Sequence, residues 1–318
     1  MKNIVYLLLL VSSWSLAGEL GQYTSDSNGF DTHTYFYDDG KEVVLIDTQF
    51  TPTLTEQFVQ YVKSKTNSPI TKVIVTHPNP DKFNGLSYLH TLGIKSISST
   101  EIAKDMIAVN QYKRDFWINQ MQMFTEQTYP EFQQVQWQFS GKEGTINLKS
   151  GETLSLFRLE NPAIASSQIV VRVNATGDLI VGDLIHYKAH AWLEGPLVNG
   201  KPTPMLHSWS KALDELYGFS NKDALVYGGR GEVGHLDTVV NAQKNYLNKV
   251  DTLVDGYVSN SIMQHHAQNK DELITLITKT FPDYTLPYMI SYSIEPLLKQ
   301  KNAKYASGSL NIQQPPSY

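Results

Sequence analysis

Apolar and polar positions along the chain follow two rhythms. "HTYFYDD" and "KEVVLIDT" carry apolar residues at strand spacing on either side of Asp38-Asp39-Gly40, which predicts a hairpin. In "TPTLTEQFVQYVKSKT" the rhythm changes. Leu54, Phe58, Tyr61 and Val62 fall on one helical face, and Thr53 with Glu56 has the spacing of a capping box. "KVIVT" is a continuous apolar run, as in a strand buried on both faces. "NGLSYLHTLG" predicts a short helix closed by Gly93, and "KSISS" another strand.

Residues 100–128 predict a helical insert rich in Met and aromatic side chains, among them Met106, Tyr112, Phe116, Trp117 and Phe124. This stripe reads as core, with a lid over a pocket as the second reading. "QVQWQF", "GTINL", "ETLSLFRL", "QIVVRV" and "DLIVGD" then form a run of strands. Helix returns over about 204–219, and a strand at "ALVYGG" and a long helix from about 236 follow. Two further helices are expected over about 270–300, and residues 306–318 have the composition of a disordered tail. The order predicts an α/β fold in which two mixed sheets are flanked by helices.

The 318 residues suffice for one large domain or two small ones. A net charge of −5 leaves no basic footprint for nucleic acid. The absence of cysteine excludes disulfides and thiolate metal sites. Residues 1–17 match a secretory signal peptide, with Lys2, the apolar run Ile4 to Val11, and Ser15-Leu16-Ala17 as the cleavage site. That apolar run is too short to span a bilayer. The expected mature protein is therefore periplasmic or secreted, without a stable membrane anchor.

The most informative stretch is "KVIVTHPNPDKFNG", residues 72–85, in which a β-branched run delivers a polar loop. Together with "VVLIDT", "DLIVGD" and "VYGGRG", it resembles the metallo-β-lactamase-fold family over roughly residues 30–250. The resemblance implies an αββα sandwich with a site for one or two zinc ions that activate water for hydrolysis; the expected domain runs over 18–255, with a helical C-terminal extension over 256–305. Where the family writes HxHxDH, this chain has His77, Asn79, Asp81 and Lys82. The histidine of the next motif corresponds to Ile164, the bridging aspartate to Asp183, and the last histidine to Arg230.

These substitutions bear on the chemistry. Asn79 is a weak ligand and Ile164 is none, while a protonated arginine cannot coordinate. Asp81 and Asp183 supply two negative charges and Lys82 and Arg230 two positive ones, so the cations are expected to stand in for metal. His186 and His190, three and seven residues past Asp183, would share a helix face if a helix began there. His186 could then complete a single-zinc set of His77, Asp81, Asp183 and His186; otherwise both histidines line the rim. Asp47 reads as a turn-shaping residue, and Trp192 and Glu194 could line the cleft.

Two functions stay open. One is a hydrolase with a degenerate site holding one zinc or none, in which His77, Asp81 and Asp183 act on a substrate other than a β-lactam. The other is a non-catalytic protein binding a small anion through Lys82 and Arg230, with Asn79 and His190 at the ligand.

Overall fold

The computed structural model describes residues 18–307. The expected signal peptide, residues 1–17, and nearly all of the expected tail lie outside the described residues. The first sheet runs β1 (Glu19–Thr24), β2 (His33–Asp38), β3 (Val43–Ile46), β4 (Ile70–Ile74), β5 (Lys95–Ser99) and β6 (Trp137–Phe139) in spatial order. Its β1–β2 and β2–β3 pairs are antiparallel, and the rest are parallel. The second sheet contains β7 (Glu143–Asn147), β8 (Thr153–Arg158), β9 (Ile169–Val173) and β10 (Leu179–Tyr187). After the small hairpin β11 (Leu197–Val198) and β12 (Lys201–Pro202), it continues with β13 (Leu225–Gly231) and β14 (Gly234–His235). Its spatial order is β14-β13-β10-β9-β8-β7, with β10 and β13 parallel. "QVQWQF" thus closes the edge of the first sheet instead of opening the run of strands in the second.

The helices are α1 (Pro52–Lys65), α2 (Pro80–Phe83), α3 (Leu86–Thr91), α4 (Thr100–Asp115), α5 (Leu206–Glu215) and α6 (Leu236–Met263), then α7 (Lys270–Thr280), α8 (Tyr288–Ser293) and α9 (Glu295–Ala306). α1 buries Phe58, Val59 and Val62 against the first sheet, each contributing about 1.5–3 kcal/mol by leaving water. It starts earlier than the expected capping box. Pro52 takes the first helical position, where its missing N–H costs nothing, so Thr51 becomes the cap and accepts Leu54 N–H at 3.2 Å. The apolar faces of the two sheets meet in one layer, where Val44, Ile46 and Ile74 pack with Leu154, Val171 and Ile180. These layers form an αββα sandwich of two mixed sheets with a helical C-terminal region.

Two helical expectations change. The insert does not stay helical to residue 128. α4 passes into a π-helical turn over Phe116–Gln120, and Gln122 at φ 54° ends it. The expected domain boundary at 255/256 falls inside α6, whose Val254 and Val258 share a core with Leu184, Ile185 and Trp209. Among the described residues three helices, not two, follow α6, and Leu273, Met289, Ile290 and Leu297 belong to that same core.

Candidate functional site

The site forms where the C-terminal ends of β3, β4 and β10 meet. Asp47 follows β3 with φ 65°, a conformation open to Asp because its short side chain bonds locally. Its carboxylate accepts Thr76 N–H and Thr76 Oγ1–H, each at 2.8 Å. Thr76 Oγ1 also lies 3.0 Å from His77 Nδ1. A hydroxyl has one proton, so Thr76 accepts from His77 Nδ1–H once that proton goes to Asp47. This assigns the tautomer and turns Nε2 inward. Asp47 therefore shapes the turn, as expected, and also orients His77. Burial pushes its carboxyl up to about 6.

His77 Nε2 has no hydrogen-bond partner and lies 3.5 Å from Asp183 Oδ2. Asp183 and His186 sit on β10, where no helix begins. The β10–β13 ladder pairs Gly182 with Gly228 and next His186 with Arg230, four residues on one strand against two on the other. That irregularity turns Asp183 and His186 toward the same place, with His186 Nε2 3.8 Å from Asp183 Oδ1. Neither ring nitrogen of His186 has a partner, and burial lowers its pKa to about 3, so the ring is neutral.

Four charges close the site. Lys82, wholly buried, lies 2.9 Å from both Asp81 Oδ2 and Asp183 Oδ1, although not at the angles of directed hydrogen bonds. Arg230 donates from Nη1 to Asp183 Oδ1 at 2.9 Å and from Nη2 to Asp81 Oδ2 at 3.2 Å. Nε also donates to Phe30 O at 2.8 Å and Nη2 to Thr32 Oγ1 at 2.7 Å. Thr32 Oγ1 contacts Asp81 Oδ2 at 3.2 Å. Burial alone would raise both carboxyls, but Lys82 and Arg230 outweigh it and hold Asp183 well below the usual range and Asp81 below it. Burial opposes charge on Lys82 too, yet Asp183, Asp81 and Asp47 raise its pKa overall. The cluster is formally neutral, two carboxylates against two cations.

This donor set does not fit zinc. Zinc takes four ligands at about 2.0–2.3 Å, and among the described residues no group of three or more His, Asp or Glu is placed to hold an ion. Lys82 and Arg230 already contact Asp183 Oδ1, each at 2.9 Å. A unit charge 4 Å from another costs roughly 4 kcal/mol at an effective dielectric of about 20, and a divalent ion doubles that for each cation.

The other expected residues divide. Asn79 lines the cleft, while Ile164 is buried in core. His190 is not at the cleft; its Nδ1 meets Tyr246 OH at 3.1 Å and its ring packs near Phe281 and Tyr284. Trp192 lines the cleft, and Glu194 lies behind it, accepting Trp192 Nε1–H at 2.8 Å and Tyr112 OH at 2.7 Å, and pairing with buried Lys113. Within the 106–124 stripe, Met106, Phe116 and Trp117 belong to the core, as expected, and Trp117 also lines the cleft. Thr32 and Trp117 were not singled out as site residues. Nothing local marks Thr32; it follows Phe30 and Asp31, whose positive φ values of 60° and 50° turn the chain inward.

Comparison with known proteins agrees with this architecture. The Metallo-beta-lactamase superfamily model matches residues 27–224, more than half of the chain. This protein therefore belongs to the metallo-β-lactamase superfamily, with a hydrolase-like fold. It is 31% identical over 98 residues to a metallo-β-lactamase type 2 of Bacillus cereus, covering 30% of this chain and 36% of that protein. A second, from Bacillus sp. (strain 170), is 33% identical over 92 residues, covering 27% and 34%. The matched stretch spans about a third of the length of these relatives. A metallo-β-lactamase structure from Pontibacter korlensis superposes with TM-score 0.53 at 18% identity, covering 73% of this chain and 99% of that one. One from Hirschia baltica gives 0.50 at 18%, covering 72% and 91%. At these identities the likeness is one of fold.

Proposed function

We propose that this protein is an exported, metal-independent binding member of the superfamily, in which Lys82 and Arg230 replace the metal ions and no β-lactam is hydrolysed. One observation carries the reading: Lys82 Nζ and Arg230 Nη1 both lie 2.9 Å from Asp183 Oδ1, the carboxylate at the family's bridging position. The pattern of residues 1–17 supports export. The residues also offer little for metal-free hydrolysis. His77 and His186 do not line the cleft, and every Arg230 nitrogen already has an acceptor.

Elemental analysis of protein purified without chelator, before and after added zinc, tests this beside assays with a chromogenic β-lactam and simple esters. The expected result is no stoichiometric zinc and no zinc-dependent turnover. A stoichiometric zinc that disappears with His77→Ala, accompanied by turnover, would restore the single-zinc hydrolase.

A further inference from the structure

β6 ends the first sheet and β7 ends the second, and the two edge strands flank one groove. It measures about 340 Å³ and is lined by Ile97, Trp137, Phe139, Gly144, Ile146 and Leu156 among others. A Cβ on Gly144 would stand 2.9 Å from the Phe139 ring, so the two edges already touch there. The one charged residue in the lining, Lys72, is paired with Glu42. Trp137 is 56% exposed, and among the described residues no other large apolar side chain on a strand of either sheet is as exposed. β7 is also an unguarded edge. It pairs with β8 over all five residues without a bulge and holds neither Pro nor Lys. Edge strands are commonly blunted by such devices, because a free row of N–H and C=O groups recruits another strand. The other long edge, β1, carries no exposed large apolar residue, and β14 is two residues long.

The sequence of β7 is complementary to itself. Glu143, Thr145 and Asn147 are exposed on its outer face, while Gly144 and Ile146 turn inward. Laying the strand antiparallel to its own copy, about a two-fold axis at Thr145, sets Glu143 against Asn147, Gly144 against Ile146 and Thr145 against Thr145. The only charged residue of the strand then meets an amide that can donate to its carboxylate. The two Glu143 carboxylates end up about 14 Å apart along the strand, beyond the screening length of about 8 Å. The glycine leaves room for the isoleucine opposite it, and facing threonines make a favourable cross-strand pair. A shift of the axis to Gly144 or Ile146 would pair fewer residues, so the register is fixed by the strand itself.

We infer that the β6–β7 edge is the interface of a two-fold homodimer, in which β7 pairs antiparallel with β7 of a second copy and the second sheet continues across the axis. The same axis brings the exposed Trp137 of each copy to the shared groove, where both leave water. This goes beyond the proposed binding function and depends neither on metal nor on a ligand in the cleft. A five-residue strand pair with one tryptophan from each copy is a small contact, in the class below about 1,200 Å² that associates weakly. The dimer should therefore form and dissociate with protein concentration.

Sedimentation equilibrium of the purified protein, from low micromolar to near-millimolar concentration, tests it. The mass should double as concentration rises, and Trp137→Ala should weaken association about tenfold. Thr145→Lys and Thr145→Glu should each abolish it, because like charges would meet on the axis. Mixing those two variants should restore a dimer holding one of each, an outcome that a two-fold axis at position 145 requires. Thr145 is exposed on an edge, so both variants should keep the fold, which circular dichroism checks. If either misfolds, Asn147→Glu carries the test, since it sets a second carboxylate against Glu143. A protein that stays monomeric throughout leaves this edge to a strand of some other protein and overturns the inference. So does a dimer that survives a folded charge variant, or a mixture that stays monomeric.

Discussion

Arg230 and Asp183 meet at 2.9 Å across the parallel pair β13 and β10, which joins two residues 47 positions apart in the chain. The same guanidinium reaches Asp81, Thr32 and the carbonyl of Phe30, so one side chain ties the second sheet to the metal-loop position of the first. Its partners are buried, so the pair's value lies in mutual neutralisation.

Removing one member should therefore cost far more than removing both. Arg230→Ala leaves Asp183 and Asp81 with Lys82 alone and should lower stability by about 3–5 kcal/mol in urea denaturation. Arg230→Met combined with Asp183→Leu should recover most of that loss. Equal losses for the single and double variants would refute mutual neutralisation.

Lys82→His with Arg230→His should raise zinc affinity above that of the parent, because two charged groups become neutral ligands beside His77, Asp81 and Asp183. Equilibrium dialysis at neutral pH measures it. If the folded double variant takes up no zinc, the cations are not what excludes the metal.

Acid should weaken the fold before the usual carboxylate range is reached. Burial lowers His186 from 6.5 to about 3 and His190 from 6.5 to about 4. Both stay neutral when folded and charge when unfolded, so stability is full above pH 6.5 and falls as pH drops toward 4. Each histidine contributes a slope of up to about 1.4 kcal/mol per pH unit. Asp47, raised to about 6 by burial, takes up its proton first in the folded state and opposes one of them below pH 6. His33 and His90, which burial also lowers, add to the fall, so stability should decrease between pH 6 and 5, read from urea midpoints. His190→Asn should make that segment shallower, and an unchanged slope would count against the assignment.

Gly229→Ala should be severely destabilising, by about 4 kcal/mol or more, since its Cβ would lie 1.8 Å from Asp183 Oδ1. Gly256→Ala, inside α6 with nothing within 4 Å, should instead gain roughly 0.5–1 kcal/mol. Thermal melts of the two variants separate a packing requirement from backbone entropy.

Much of the fold was legible because its signals are local. The apolar run ending at Thr76, the Asp38-Asp39-Gly40 turn and the spacing of Leu54, Phe58 and Val62 are each set by neighbours a few residues away. Errors arose where a tertiary partner or one residue's geometry overrode the local pattern. The strand at Trp137 looks like its successors and yet pairs with β5. The helix through Phe116 is ended by Gln122 in a left-handed conformation that periodicity does not reveal. His190, near Asp183 in sequence, points to Tyr246 because Thr285 accepts its backbone N–H at 2.9 Å and fixes the loop there.

The sequence alone determined the fold class and the charges that stand where metal ligands are expected. Periodicity specifies sheets and helices, and a guanidinium cannot coordinate wherever it lies. Only the tertiary structure decided how those charges are used. The irregularity in β10 brings Asp183 beside His186, Thr32 arrives from a turn 198 residues before Arg230, and Met289 closes the cleft from the C-terminal helices. Such contacts join distant segments through packing and hydrogen bonding, and no local pattern of residues encodes them.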